Sequence, residues 1–124
     1  MQKSIQLHGK AVQVELSVPA LQATSNLQQL LVAEIHLIFG CLVVKRVWFK
    51  AQATVQGRPV MITDQLGAGF RVVRYSKSCR ISHIDNGDEI PSDFPLVADM
   101  RRYVPDWLKI DYRRGKWSGS FGYE

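Results

Sequence analysis

The sequence predicts an α+β domain built from a mainly antiparallel sheet, with one amphipathic helix packed on a face of that sheet. Three observations support this fold class: strand-like alternation near the N-terminus, a second alternating segment that begins at Val47, and helical spacing of apolar residues between them. Strands in antiparallel runs with helices set apart are typical of α+β proteins. A small β-barrel with helical insertions is the alternative that this pattern allows.

The N-terminal residues predict a β-hairpin. Apolar and polar side chains alternate over residues 12–18, and Ile5 and Leu7 alternate before them. A period of two places one face of a strand in the core and the other face in water. Residues 8–10 are the expected turn, and Pro19 is expected to end the hairpin.

The following segment predicts an amphipathic helix over about residues 25–39. Ser25 and Gln28 have the spacing of a capping box at a helix N-terminus. Glu34 falls on the apolar face of this helix, where burial of an unpaired charge would be costly. We therefore expect Glu34 to be partly buried and paired with a basic side chain. The apolar residues that share this face are Leu27, Leu30, Leu31, Ile35 and Ile38.

The clearest strand is predicted from Val47 to Val55. Apolar side chains alternate there with polar ones, and a one-residue slip would bury Lys50. We expect the core-facing residues to be Val47, Phe49, Ala51 and Val55.

Further strands are expected at residues 60–63, 70–75 and 79–84. A short second helix is predicted over about residues 95–104, because Pro95 suits a first helical turn and Pro105 stops a helix. A C-terminal hairpin that turns at residues 113–116 completes the predicted order of elements.

Size and composition indicate a single domain over residues 1–124. A chain of this length buries roughly two thirds of its unfolded surface, which is enough for one core without disulfides. The longest apolar run, Leu37 to Val44, is far too short to cross a bilayer, and the N-terminus lacks a secretory signal. We expect a cytoplasmic protein without membrane association, in which Cys41 and Cys79 are free thiols.

Few patterns point to catalysis. Burial of Glu34 would raise its pKa and make it a candidate general acid or base, although a structural ion pair is the favoured interpretation. Cys79, His83 and Asp85 share one face of a predicted strand, but successive residues on that face are about 6.6 Å apart, too far for direct hydrogen bonds. The acidic residues 85–93 lack the spacing of a calcium loop. We expect no catalytic residue, metal site or cofactor, and an enzyme is the least favoured interpretation.

The basic residues predict a binding surface in the C-terminal part. The net charge of +5 permits an anionic partner but does not require one. Cations interleaved with aromatic side chains suit single-stranded DNA or RNA, because cations bind phosphates and aromatic rings stack on unpaired bases. The predicted site contains Arg101, Arg102, Lys109, Tyr112, Arg113, Arg114, Lys116 and Trp117.

Two functions are consistent with this surface. The first is a small non-enzymatic module that binds nucleic acid through the C-terminal region. The alternative is a protein–protein adaptor or an inhibitor subunit of a larger assembly, with Trp107 and Trp117 as anchors, because Trp, Tyr and Arg dominate interface hot spots. The salt dependence of binding distinguishes the two functions. Binding to phosphates weakens steeply as ionic strength rises, whereas binding through an interface anchored by aromatic residues weakens much less.

Overall fold

The computed structural model describes residues 1–39, 43–51, 58–74, 92–93 and 100–124, with 92–93 described by their backbone alone. The elements in these ranges are, in chain order, β1 (Gln2–Leu7), β2 (Lys10–Leu16), α1 (Val18–Thr24), β3 (Leu31–Phe39), β4 (Val44–Ala51), β5 (Val60–Met61), β6 (Leu66–Arg74), β7 (Ser92–Asp93), a 3₁₀ helix (Met100–Tyr103), β8 (Trp107–Arg113) and β9 (Lys116–Gly122). No helix in these ranges is long and apolar enough to cross a membrane.

The strands form two sheets. The first has the order β1-β2-β8-β9, and the second has the order β4-β3-β6-β5, with β7 paired to β6. Both sheets are mixed, because β2 runs parallel to β8 and β3 runs parallel to β6. The strand-rich fold, with one α-helix among the described residues, is compatible with the predicted α+β class, and five of the seven described strand pairs are antiparallel, as predicted. Over the described residues neither sheet closes into a barrel, so the barrel alternative has no support.

The main core lies between the two sheets. Alternating side chains of β1, β2, β8 and β9 pack against alternating side chains of β3 and β6, as the pleat of a strand requires. The first sheet contributes Ile5, Leu7, Val12, Val14, Leu16, Leu108, Ile110 and Phe121. The second sheet contributes Ala33, Ile35, Leu37, Leu66, Ala68, Phe70 and Val72.

The prediction of a helix over residues 25–39 is wrong. Leu31–Phe39 is the strand β3, and the α-helix lies earlier, at Val18–Thr24. Ser17 caps that helix by accepting a hydrogen bond from the Ala20 backbone N–H at 3.2 Å, and Pro19 occupies its first turn. Ser25, the expected N-cap of the longer helix, is the C-cap of α1.

Burial of both faces of β3 explains why this strand has the apolar spacing of a helix. This strand is central in its sheet, and every residue from Val32 to Ile38 is buried. A strand covered on both sides reads as a continuous apolar run, which also satisfies helical spacing. One face of β3 enters the main core, while Ile38 on the other face packs with Val44, Val73 and the half-buried Trp48.

The second predicted helix, over about residues 95–104, is described only at its C-terminal end. Met100–Tyr103 has this conformation, and residues 94–99 lie outside the described part of the chain. Val104 is buried behind the turn, and the Tyr123 hydroxyl donates a hydrogen bond to the Tyr103 carbonyl. This hydrogen bond links the turn to the residue that follows β9.

The predicted strand at residues 47–55 is confirmed as far as it is described. It corresponds to β4, in which Val47 and Phe49 pack against the main core and Lys50 projects from the other face. Ala51 is exposed rather than buried, and Val55 lies outside the described residues. The N-terminal and C-terminal hairpins are also present, as β1–β2 and β8–β9, although Pro19 belongs to α1 and does not end a strand.

Candidate functional site

Most of the predicted binding residues lie on the hairpin of β8 and β9. The two strands pair up to Arg113, which is opposite Lys116. Arg114 and Gly115 form the turn, and both have positive φ, 53° and 77°. Positive φ at both central residues defines a type I′ turn, which matches the twist of the paired strands. The hairpin therefore presents the exposed cations Arg113, Arg114 and Lys116 around a tight turn.

Side-chain alternation separates the strand cations from the aromatic pair. Tyr112 and Trp117 are opposite each other in the register, with ring centroids 4.8 Å apart, and both pack against the main core. Lys109, Arg113 and Lys116 belong to the other face of the hairpin, which is exposed. The structure thus brings Tyr112 and Trp117 together, but the two faces meet only at the turn.

The aromatic pair belongs both to the core and to a surface cavity. Trp117 stacks on Phe49 of β4, with centroids 5.7 Å apart and ring planes 28° apart. Beyond this packed side lies a cavity of about 450 Å³ between the hairpin and α1. Its walls are Pro19, Gln22, Ala23, Asn26, Leu27, Tyr112 and Trp117. The two half-buried rings therefore pack in the fold and also line the cavity.

A carboxylate offsets part of the charge of the hairpin. The Arg113 Nε donates to Asp111 Oδ2 at 2.7 Å, and the Ser17 hydroxyl donates to Oδ1 at 2.6 Å. The hydrogen bond from Ser17, with those from the Tyr112 backbone and Arg113, holds the pKa of Asp111 below its ordinary value. In the described part of the chain, Arg114 and Lys116 have no such carboxylate partner.

Trp107 shares the exposed face with the strand cations, although the prediction did not include it among the binding residues. The Lys109 Nζ lies 5.3 Å from the centroid of its ring, within the range of a cation–π interaction. The indole crosses Gly122, where an added Cβ would collide with the ring. Trp107, Lys109 and Arg113 are at odd-numbered positions of β8. Because side chains alternate along a strand, this numbering could have shown that Trp107 shares their face.

Arg101 and Arg102 do not join the cations of the turn. They are exposed in the 3₁₀ helix that precedes β8. A seven-residue strand spans roughly 20 Å, so these two residues lie near the end of the hairpin that is far from the turn. The predicted site is therefore divided into two separate cationic groups.

The outer face of the first sheet is mixed in charge. A groove of about 630 Å³ crosses it, and Lys109 lies there beside Glu15 and Asp111. Two carboxylates next to one ammonium group weaken the attraction of this groove for an anionic chain. The cations at the turn are consequently a better candidate for phosphate binding than the middle of the sheet.

A buried charged cluster lies on the outer face of the second sheet. Glu34 and His36 are only 2% and 1% exposed, and the His36 Nε2–H donates to Glu34 Oε1. Arg71 Nη1 and Lys50 Nζ lie 3.2 Å and 3.7 Å from the same oxygen. The expectation that Glu34 is buried and paired is confirmed, although the residue lies on a strand and not on a helix.

Glu34 is an ion-paired carboxylate whose pKa is lowered. Burial alone would raise its pKa, but the hydrogen bond and charge of His36, with Lys50 and Arg71, outweigh burial and lower it to about 2. The Nδ1 of His36 is buried and has no hydrogen-bond partner in the described part of the chain. The sequence indicated the burial of Glu34 but not its partners, since Lys50 and Arg71 come from the neighbouring strands β4 and β6, and His36 shares its face only because this segment is a strand.

The remaining candidates from the sequence were a Cys-His-Asp group and a metal site. Cys41, Cys79, His83 and Asp85 lie outside the described residues. Among the side chains that are described, no group of three or more His, Cys, Asp or Glu residues could hold a metal ion. Comparisons with protein-family models, with curated proteins and with solved structures found no match to this chain.

Proposed function

We propose that the chain is a small non-enzymatic module that binds single-stranded nucleic acid through the β8–β9 hairpin. One observation carries the proposal: exposed cations gather at a type I′ turn directly beside the Tyr112–Trp117 pair. Arg114 and Lys116 supply charge for phosphates, and the aromatic pair supplies ring surface within one or two residues of that charge.

A single strand fits this arrangement better than a duplex. The faces of bases are available for stacking only when the bases are unpaired, and a half-buried ring pair cannot enter a base stack. The exposed Arg101 and Arg102 are separated from the turn by the length of β8, roughly 20 Å, so they are available only to a more distant phosphate of the same nucleotide chain.

The proposal is tested by fluorescence anisotropy with labelled single-stranded DNA and RNA oligonucleotides. We expect binding at 50 mM salt that weakens about 20-fold by 200 mM, which corresponds to about three phosphate contacts on a single strand. Duplexes of the same sequence are expected to bind more weakly. Absence of binding at 50 mM salt, or an affinity that does not change with salt, contradicts the proposal.

A charge-matched pair of variants locates the site. Arg114→Ala/Lys116→Ala removes two cations from the turn, and Arg58→Ala/Arg74→Ala removes two exposed cations from the second sheet and the loop before it. We expect the first variant to reduce the slope of log K against log salt by about 1.4 and the second to leave it nearly unchanged. Equal effects would mean that net charge alone drives binding.

A protein–protein adaptor is the second candidate, and exposed apolar side chains on α1 favour it. Val18 and Leu21 are 65% and 38% exposed on the first and second turns. The earlier anchors, Trp107 and Trp117, are both half-buried in the chain's own packing, which makes α1 the better candidate surface. A purified partner whose binding survives 500 mM salt and is lost with Val18→Ser/Leu21→Ser would support this function.

A further inference from the structure

We propose that the cavity beside Tyr112 and Trp117 is a pocket for one unstacked nucleobase of the bound strand. This inference rests on the function proposed above and adds the mode of recognition. The cavity opens next to the turn, so a base inside it and its flanking phosphates at Arg114 and Lys116 can belong to neighbouring parts of one nucleotide chain.

The size and walls of the cavity suit a flat ring. Its volume of about 450 Å³ lies within the range of small-molecule sites, which are mostly apolar with a few polar groups. Tyr112 and Trp117 line it from the hairpin, and Ala23 and Leu27 line it from α1 and the segment after it. Trp117 is held from behind by Phe49, which keeps the aromatic wall in place without a ligand.

Polar groups around the cavity are available to the edge of a base. Over the described residues, the side chains of Gln22, Asn26, Tyr112 and Trp117 make no hydrogen bond within the chain, and Gln22 and Asn26 are exposed. Amide side chains present a donor and an acceptor together, which is the pattern that base edges require. The pocket therefore combines stacking surface with hydrogen-bonding groups that now face water.

Charge at the turn next to the cavity favours a nucleotide over a neutral ligand or an apolar peptide. The turn carries Arg114 and Lys116 without carboxylate partners in the described part of the chain, and Arg113 is only partly offset by Asp111. A free aromatic molecule would use the cavity but not these cations. A polyanion without bases would use the cations but not the cavity.

The test compares an intact oligonucleotide with one of equal length that carries abasic residues. Both retain the same phosphates, so the difference in affinity measures the contribution of bases. We expect the intact strand to bind at least about fivefold more tightly, which is the lower end of the effect of one stacked base. A bromouracil-substituted strand is expected to photocrosslink at Tyr112 or Trp117.

A cavity-filling variant identifies the pocket without removing an aromatic ring or a cation. Ala23→Leu adds a side chain that occupies the cavity, and Ala11→Leu adds the same group at an exposed site on β2. We expect Ala23→Leu to remove the advantage of the intact strand while leaving abasic binding unchanged, and Ala11→Leu to change neither. Melting curves establish that both variants are folded.

The outcomes separate this inference from the function on which it rests. If neither strand binds at 50 mM salt, the proposed function fails and the pocket fails with it. If both strands bind equally, or if Ala23→Leu weakens both to the same extent, nucleic-acid binding stands and the base pocket is wrong.

Discussion

Glu34 shows how one residue can be expensive to bury and still stabilise the protein. Its carboxylate lies beneath the sheet surface, and three basic side chains, His36, Lys50 and Arg71, converge on one oxygen. Pairing of this kind recovers the cost of desolvation only while every partner stays in place. Loss of the carboxylate leaves cations and an imidazole without their common acceptor.

The pH dependence of stability should report this cluster. The pKa of Glu34 is about 2 in the folded chain against an ordinary 4.5, so the folded state binds its proton less readily than the unfolded state. The group therefore contributes about 3 kcal/mol above pH 4.5, and this contribution is lost as pH falls from about 4.5 towards 2. Glu34→Gln should lower the free energy of unfolding at pH 7 by about 3–5 kcal/mol and flatten this acid decline.

Urea denaturation at several pH values measures both effects. Glu15→Gln, on the exposed face of β2, is the matched control and should change the free energy of unfolding by less than about 0.5 kcal/mol. A Glu34→Gln protein that keeps the wild-type acid dependence would show that Glu34 is not strongly coupled to its neighbours.

Gly119 allows the two sheets to approach at β9 and β4. A Cβ at this position would lie 2.9 Å from Cγ1 of Val47. We expect Gly119→Ala to destabilise the protein by about 1–3 kcal/mol through overpacking. Combination with Val47→Ala should reduce that cost, because the colliding methyl groups are removed.

Thermal melts of the single and double variants test this contact. Gly69→Ala serves as control, since an added Cβ there meets nothing within 4 Å. Equal destabilisation by Gly119→Ala and Gly69→Ala would mean that the loss of stability comes from replacing a strand glycine and not from the contact between the sheets.

At the scale of elements, the turn of the β8–β9 hairpin carries strain at a position proposed to bind. Arg114 has φ of 53°, a conformation that favours Asn or Gly over long side chains. Arg114→Asn should therefore raise the free energy of unfolding by up to about 1 kcal/mol while weakening nucleic-acid binding. Gly115→Ala, at φ of 77°, should destabilise the hairpin.

Denaturation and oligonucleotide binding measured on the same two variants separate stability from function. A more stable Arg114→Asn protein that binds as tightly as the wild type would mean that Arg114 contacts no phosphate. The opposite result, lower stability, would mean that the arginine has a structural role at the turn.

The elements with strict alternation were predictable from the sequence, and the central strand was not. The hairpins β1–β2 and β8–β9 each bury one face, so their period of two is visible in the residues. In β3, Val32 to Ile38 is buried on both faces, and Leu27 to Ile38 happens to satisfy helical spacing as well. Only its partners, β4 and β6, decide between the two, and local sequence does not carry that information.

At the scale of the whole molecule, the candidate site could be predicted only in part. The sequence placed Tyr112 and Trp117 beside the cations of the turn, and in the structure the two residues are opposite each other across the hairpin. It did not reveal that Arg101 and Arg102 are separated from the turn, or that α1 forms the far wall of a cavity. The cavity depends on tertiary packing, because its walls include residues as far apart in the chain as Pro19 and Trp117.

The most direct measurement for nucleic-acid binding through the hairpin is an NMR titration of the isotope-labelled protein with a short single strand at low salt. We expect the backbone amides of residues 112–117 and of Asn26 to shift together with one dissociation constant, and the Trp117 Nε1–H to shift with them. Amides of the Glu34 cluster on β3 should not move. Shifts confined to that cluster or to the outer face near Glu15, or no shifts at all, would contradict the assignment of the β8–β9 hairpin as the binding surface.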